Sequence, residues 1–361
     1  MKVIFPSFAW FALAVAMASG QSNQPPPGMS IAPQNVQVSP AEIGSNPLAP
    51  PASAVNAAST TNAQSSGNNS APASLAPPNG ATSNGAELFI GRVADAAGQW
   101  RSVQARIRYH ANLFGQQTVG AGIYLQQGVG TERQFRLELK TAVGDQLLTL
   151  QQVCDGRYLW QYRDSLNKTN PAKVDAGDRP SITRIDLAKV RQTLQDSEHP
   201  PSLDAIGQMA VGGLPKLLDG LQHCFRFSRV EGGQLDTMPV WIAAGSWLPD
   251  AIAPVAKELA EQAAREQPLN LKLLPARLPE QVWLYVGQDD FFPYRIEFRR
   301  RAGVQGRGVM GAQEEMLPIV TVEFYEVRLN VPINPREFDY QPGSADIIDA
   351  TASFLKEQKG K

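Results

Sequence analysis

The chain has 361 residues, 33 Lys and Arg against 34 Asp and Glu, three His and two Cys, for a formal net charge of −1. So balanced a charge gives no electrostatic reason to seek nucleic acid. Neither Cys154 nor Cys224 has metal-ligand spacing to another Cys or His beyond the adjacent pair His223-Cys224.

Residues 1–20 read as a secretory signal. Lys2 supplies the positive start, Phe8 to Met17 the apolar core, and Ala18-Ser19-Gly20 the small residues a signal peptidase needs. The core is too short to span a bilayer, which takes about 20 residues. No Cys follows it to carry a lipid anchor, so the expectation is an exported chain, periplasmic or cell-surface, with no transmembrane segment after processing. Losing Lys2, the single charge in 1–20, takes the formal charge from −1 to −2.

Residues 21–85 are Pro, Ala, Ser, Asn and Gln, with no aromatic residue and Glu42 as the one charge. Such a stretch has too little apolar surface to offset its ordering entropy, and is expected to be a disordered linker. About 65 residues of flexible coil reach roughly 45 Å.

Residues 86–361 are expected to form the folded domain. Ala86 to Gln99 has helical spacing through Leu88, Val93, Ala96 and Ala97. The period then becomes two. Val103–Phe114, Gln117–Gln126, Arg133–Lys140, Gln146–Cys154 and Arg157–Tyr162 read as five strands in a meander, with Asp155-Gly156 as a tight turn. Asp186–Gln195 and Ser202–Gln222 read as helices, the second interrupted by Gly212-Gly213 and Pro215. Phe225–Val230 and Met238–Trp247 read as strands joined by a Gly232-Gly233 turn, and Pro249–Gln267 as one amphipathic helix. Gln281–Gly287 and Pro293–Arg300 make a hairpin with a long aromatic tip. Ile319–Leu329 is a last long strand, Asn334–Tyr340 follows it, and Ala345–Lys356 closes the chain as a helix.

Arg, Glu, Lys or Gln at every second strand position means one wet and one dry face. Nine or ten such strands must curl. The expected fold is therefore α+β: a large curved antiparallel β-sheet, an incomplete β-barrel, with helices covering its concave face. The helices between Asp186 and Gln267 look like modest cover for that face, which leaves room for a ligand. Candidate cavity residues are Leu137, Leu139, Trp160, Phe225, Phe227, Trp241, Trp283, Tyr285 and Phe324, each able instead to be ordinary core. Candidate lid residues are Leu214, Leu217, Ile252, Val255 and Leu259. Cys154 and Cys224 could pair as a disulfide in an exported protein, or remain two buried thiols.

No catalytic constellation emerges. His110, His199 and His223 are scattered, and no H-E-x-x-H, G-x-S-x-G or Walker A pattern occurs. Gly306-Arg307-Gly308-Val309-Met310-Gly311 fits G-x-G-x-x-G but runs between strands, whereas a phosphate cradle must open a helix. Asp289-Asp290 reads as a turn at a hairpin tip. Arg299-Arg300-Arg301 reads as a solvated strand edge. Neither enzyme activity nor a cofactor or metal is expected.

The order of segments resembles one family. Cys154-Asp155-Gly156-Arg157-Tyr158-Leu159-Trp160, then Val282 to Gly287, then Asp290-Phe291-Phe292-Pro293-Tyr294-Arg295-Ile296-Glu297-Phe298, and finally Asn334 to Tyr340 are similar to hairpin motifs of the bacterial LolA-like (lipoprotein-carrier) superfamily. The resemblance runs from about Glu87 to Asp349. It implies an incomplete barrel with a helical lid over an apolar cavity, and a lipid or lipidated protein as partner outside the cytoplasm. The long N-terminal segment and the insertions Asp164–Thr183 and Ala302–Leu317 depart from the plain carrier. The alternative reading is a sensor or protein-interaction module on the same scaffold with no bound lipid.

Overall fold

The period-two segments become one sheet of twelve strands. A computed structural model describes residues 83–113, 115–167, 180–195, 205–252, 257–276, 278–302, 315–343 and 346–359. The leader, most of the linker, His199, Val255 and the Gly306–Gly311 motif lie outside the described residues.

In chain order the elements are α1 (Ser83–Gln99), β1 (Ser102–Leu113), β2 (Gln116–Gln127), β3 (Gln134–Val143), β4 (Gln146–Cys154), β5 (Tyr158–Asn167), β6 (Ser181–Asp186), α2 (Leu187–Gln195) and α3 (Ala205–Cys224). There follow β7 (Phe225–Leu235), β8 (Met238–Trp247), α4 (Pro249–Ile252), α5 (Lys257–Ala264), β9 (Gln281–Gly287), β10 (Pro293–Arg301), β11 (Met316–Leu329), β12 (Ile347–Asp349) and α6 (Thr351–Lys359). The sheet order is β12-β6-β5-β4-β3-β2-β1-β11-β10-β9-β8-β7. Every pair is antiparallel except β12 with β6, and the sheet stays open, with β12 and β7 as its edges.

Alternation sets the two faces. On β1, Val103, Ala105, Ile107, Tyr109 and Ala111 are buried, while Arg106, Arg108 and His110 between them are exposed. The outer face carries cross-strand ion pairs, Arg106–Glu326 at 2.8 Å and Glu323 shared between Arg108 and Arg295 at 2.8 Å each. Such pairs contribute about 0–1 kcal/mol each and mainly keep that face wet.

Curvature has a local cause. Gly120 and Gly122 of β2 sit opposite Tyr109 and Ile107. A Cβ on Gly122 would run into the Glu138 carbonyl of β3, and one on Gly120 would lie 2.8 Å from the Lys140 carbonyl oxygen. Only glycine lets β2 and β3 approach so closely.

The helical cover differs from the sequence expectation. On α1 the buried stripe is Ala86, Phe89, Ile90, Val93 and Ala97, whereas Leu88 points to solvent at 67 % exposure. The stripe follows the 3.6-residue period from Val93, and Leu88 falls off it. Burying Phe89, Ile90 and Val93 stabilises by about 1.5–3 kcal/mol each. Thus α1 shares the covering of the dry face with the helices between Asp186 and Gln267. The segment expected as one helix over Pro249–Gln267 forms α4 and α5, with 253–256 outside the described residues.

Three further expectations need correction. Gly232-Gly233 lies within β7, paired with Trp241 and Val240, and the hairpin turns at Asp236-Thr237, where Asp236 takes φ 54°. Residues 181–186, which overlap only the last three residues of the presumed insertion Asp164–Thr183, form β6 between β5 and the short β12, and the C-terminal helix begins only at Thr351. The run Arg299-Arg300-Arg301 is no solvated edge. Arg299 stacks 3.8 Å from the Trp283 ring centroid, Arg300 donates to the carbonyls of Leu274, Pro275 and Leu278, and Arg301 pairs with Glu280 at 2.9 Å.

Candidate functional site

Register decides which candidate side chains meet. Leu137 and Leu139 (β3), Phe324 (β11), Trp241 (β8), and Phe225 and Phe227 (β7) all face the helix-covered side. Trp160, Trp283 and Tyr285 lie on the outer face. Trp160 packs on Tyr340, with ring centroids 5.4 Å apart. Trp283 takes the Arg299 guanidinium, and Tyr285 joins a small outer cluster with Leu235 and Val240. The Tyr285 hydroxyl donates to Glu297 Oε2 at 3.1 Å; burial first, then that carboxylate, raise its pKa.

Of the candidate lid residues, Leu214, Ile252 and Leu259 are buried in the inner core, and Leu217 packs half-buried against it. The interior also holds aromatic residues that the sequence reading did not select. Phe292 of the β9–β10 tip lies 5.2 Å from Trp100 and 5.6 Å from Phe324, and Phe291 lies 6.1 Å from Phe89. The tip turns them inward because Asp290 takes the Phe292 N–H at 2.9 Å and the Tyr294 hydroxyl at 2.7 Å. Asp290 thus makes a turn; burial first, then the hydrogen bond to Asp290, raise the Tyr294 pKa. The Asp-Asp-Phe-Phe-Pro string was the available signal for these inward rings.

The helix over this interior is broken. Within α3, Gly213 has φ 64° and ψ −151°, and Pro215 has no N–H to give. Only glycine adopts that backbone readily, and Pro215 fits the first turn of the second helical segment, where an N–H would have no helical partner. The break turns two backbone groups off the helix, and side chains of β2 and of Arg133, just before β3, take both. The Leu214 N–H donates to the Tyr124 hydroxyl at 2.8 Å and to Gln126 Oε1 at 3.3 Å; the Gly212 carbonyl accepts from Arg133 Nη1 at 3.1 Å. Tyr124 also donates to Gln126 Oε1 at 2.7 Å, and Arg133 Nη2 donates to the Gly98 carbonyl of α1 at 3.2 Å. Burial raises the Tyr124 pKa and lowers that of Arg133.

Outside this core, an open recess of about 800 Å³ lies between α1, the end of α3 and β7. Phe225 and Phe227 line it with Leu88 and Ile90, and Glu87, Arg92, Asp95 and Arg226 also border it. Its volume falls within the roughly 300–1,000 Å³ of ligand clefts.

The two cysteines are present as thiols, not as a disulfide. Cys154 ends β4 and Cys224 immediately precedes β7, with seven strands between those two in the sheet. A bridge needs Cα atoms within about 7 Å. Cys154 Sγ donates to the Arg133 carbonyl at 3.6 Å, and burial pushes its pKa up to about 11. Among the described residues no cluster of His, Cys, Asp or Glu could hold a metal, and no helix is long and apolar enough to cross a membrane.

Fold and site together define an open antiparallel half-barrel whose apolar inner face is closed by helices, one of them broken. Neither a family model nor a curated protein matches the sequence. Among solved structures the chain is similar to LprF from Mycobacterium bovis, with 10% identity and TM-score 0.33 over 71% of this chain and 97% of that one. It is similar to an outer membrane lipoprotein-sorting protein domain from Vibrio parahaemolyticus, with 9% identity and TM-score 0.26 over 70% and 95%. It is also similar to the MucA/MucB complex of Pseudomonas aeruginosa, with 13% identity and TM-score 0.33 over 71% and 61%. The likeness is one of fold, and no residue role is taken from it.

Proposed function

We propose that the protein is an exported, non-enzymatic binder of a lipid or lipidated partner, which seats acyl chains against the inner face of the half-barrel. The observation that carries this reading is the broken lid. A continuous apolar interior, built from strands at both ends of the sheet, is closed by a helix whose break is tied down by a few polar bonds from Tyr124, Gln126 and Arg133. Those bonds contribute about 0.5–3 kcal/mol each. Acyl burial returns roughly 0.8 kcal/mol per CH₂, so a 16-carbon chain gains on the order of 10 kcal/mol before ordering costs. That gain offsets the polar bonds at the break, and the acyl chain takes the place of the apolar cover that Leu214, Leu218 and Leu221 give the inner face. The structure is then the closed form, and the Phe225–Phe227 recess is the entrance. Export by residues 1–20 would place the protein in the periplasm or at the cell surface. Lipid extraction of the purified protein followed by mass spectrometry tests the reading: a stoichiometric acyl species is expected, and a chain devoid of lipid from every membrane-containing source counts against it.

A second reading is supported by the burial itself. Leu137, Leu139, Phe225, Phe227 and Phe324 are each covered in this closed form. If the interior never opens, the scaffold serves protein contacts alone. Hydrogen exchange separates the two: on the first reading added lipid speeds exchange of the amides at the helix break, Leu214 among them, and on the second it leaves them unchanged.

A further inference from the structure

Beneath the helix break, on β2 and just before β3, two buried donors of neighbouring side chains have no acceptor; farther along the same two strands the buried Thr118 and Thr141 hydroxyls also lack a partner, but neither carries a charge. Gln126 is fully buried. Its Oε1 accepts from Tyr124 and Leu214, but its Nε2 has no hydrogen-bond partner. Arg133 is 6 % exposed; its two terminal nitrogens reach the Gly212 and Gly98 carbonyls, while its Nε has no partner. Among the described residues no Asp or Glu lies within 4.0 Å of that guanidinium. In the β2–β3 register Gln126 pairs with Phe135, two residues from Arg133, and both side chains contact the same Gly212–Leu214 break.

A buried cation with no counter-charge costs several kcal/mol, and each unmatched donor adds to that. An apolar side chain would pack this corner without either cost. What the corner lacks is an oxyanion. A guanidinium fork fits one in a bidentate way, and charge-assisted bonds are roughly twice as strong as neutral ones.

Resting on the function proposed above, we propose that Arg133 and Gln126 form the head-group site: they take the acidic head of a bound amphiphile, a carboxylate or a phosphate monoester, while its chain lies along the apolar interior toward Phe324. As the head arrives, the Gly212 carbonyl leaves Arg133 Nη1 and the Leu214 N–H leaves Tyr124. Seating the head and releasing the lid are one exchange of acceptors.

The test is calorimetric titration of the full chain with palmitate, hexadecyl phosphate, 1-hexadecanol and inorganic phosphate. At least one of the two acidic amphiphiles should bind about tenfold or more tightly than the alcohol, as a charge-assisted bond replacing a neutral one requires. The better of the two identifies the head. Arg133→Met should bring the acid-to-alcohol ratio close to one. If that variant does not fold, Arg133→Lys and Gln126→Leu should each narrow the ratio. Equal affinity for acid and alcohol in the unaltered chain would overturn the head-group site and leave the lipid reading standing. Binding of none of the amphiphiles would overturn both. Inorganic phosphate matching hexadecyl phosphate would overturn the proposal too, because no chain would then be seated.

Discussion

The Tyr124 hydroxyl accepts the backbone N–H of Leu214 at 2.8 Å, joining residues 90 apart in sequence across the gap between sheet and lid. Glycine and proline remove helical bonding at that point, so the broken helix is held by side chains of the very face it covers. On the proposed function, the strength of those few bonds sets how readily the interior opens.

Tyr124→Phe removes that acceptor and leaves the Leu214 N–H with only the longer bond to Gln126. Urea denaturation should show a loss of about 1–3 kcal/mol, the cost of a poorly satisfied buried donor. Hydrogen exchange at the Leu214 amide should speed up more than at strand β1 amides. Equal acceleration at both would mean that the bond supports the fold globally and not the lid.

The two glycine positions give opposite outcomes. Gly122→Ala drives a Cβ into the Glu138 carbonyl, backbone that cannot give way, and should lose about 1–3 kcal/mol or more. Gly98→Ala meets nothing within 4 Å on α1 and should gain about 0.5–1 kcal/mol. Thermal melts of both variants check the pair; a tolerated Gly122→Ala would contradict the close β2–β3 approach.

Asp349 caps α6. Its Oδ1 accepts the Thr351 N–H at 3.0 Å and its Oδ2 lies 3.2 Å from Arg184. The Thr351 hydrogen bonds, then Arg184, lower its pKa to about 2. The ordinary value is about 3.9, so the folded state binds this proton less well than the unfolded one. The cap is therefore at full strength above about pH 4 and is lost as the pH falls toward 2. Limited proteolysis should release the 351–359 segment over that window, and Asp349→Asn, which keeps an acceptor for the Thr351 N–H but has no carboxylate to protonate, should abolish the pH dependence.

Both cysteines are thiols, and Cys154 is buried with a raised pKa of about 11. Thiol titration in guanidinium without reductant should count two per chain. In the native state Cys154 should resist alkylation at pH 8. A count near zero after purification from an oxidising compartment would mean that the two residues pair after all.

Strand positions were legible because alternation is strict on β1 and β3, and the Asp155-Gly156 turn forms as read, with Asp155 Oδ1 accepting from Arg157 and Tyr158. Which side of a doubly apolar strand faces inward was not. In Val282-Trp283-Leu284-Tyr285-Val286 both parities are apolar, and the aliphatic set went in while the rings went out under Arg299 and Arg295. Trp160 went out for the same reason, beside the buried Leu159. Strand β6 was missed because six residues carry little periodicity; it pairs with β5 on one side and on the other with β12, about 165 residues away, a pairing no local pattern announces. Arg133 and Gln126 looked like ordinary strand polar residues; only the fold reveals that they are buried beneath the helix break.

The most direct test of the account is equilibrium titration of the purified full chain with a fluorescent 16-carbon fatty acid. The account predicts saturable binding of about one molecule per chain, weakened by Phe324→Asp at the centre of the inner face. Fluorescence that rises without saturation, or uptake unchanged by a charge placed at Phe324, would contradict it.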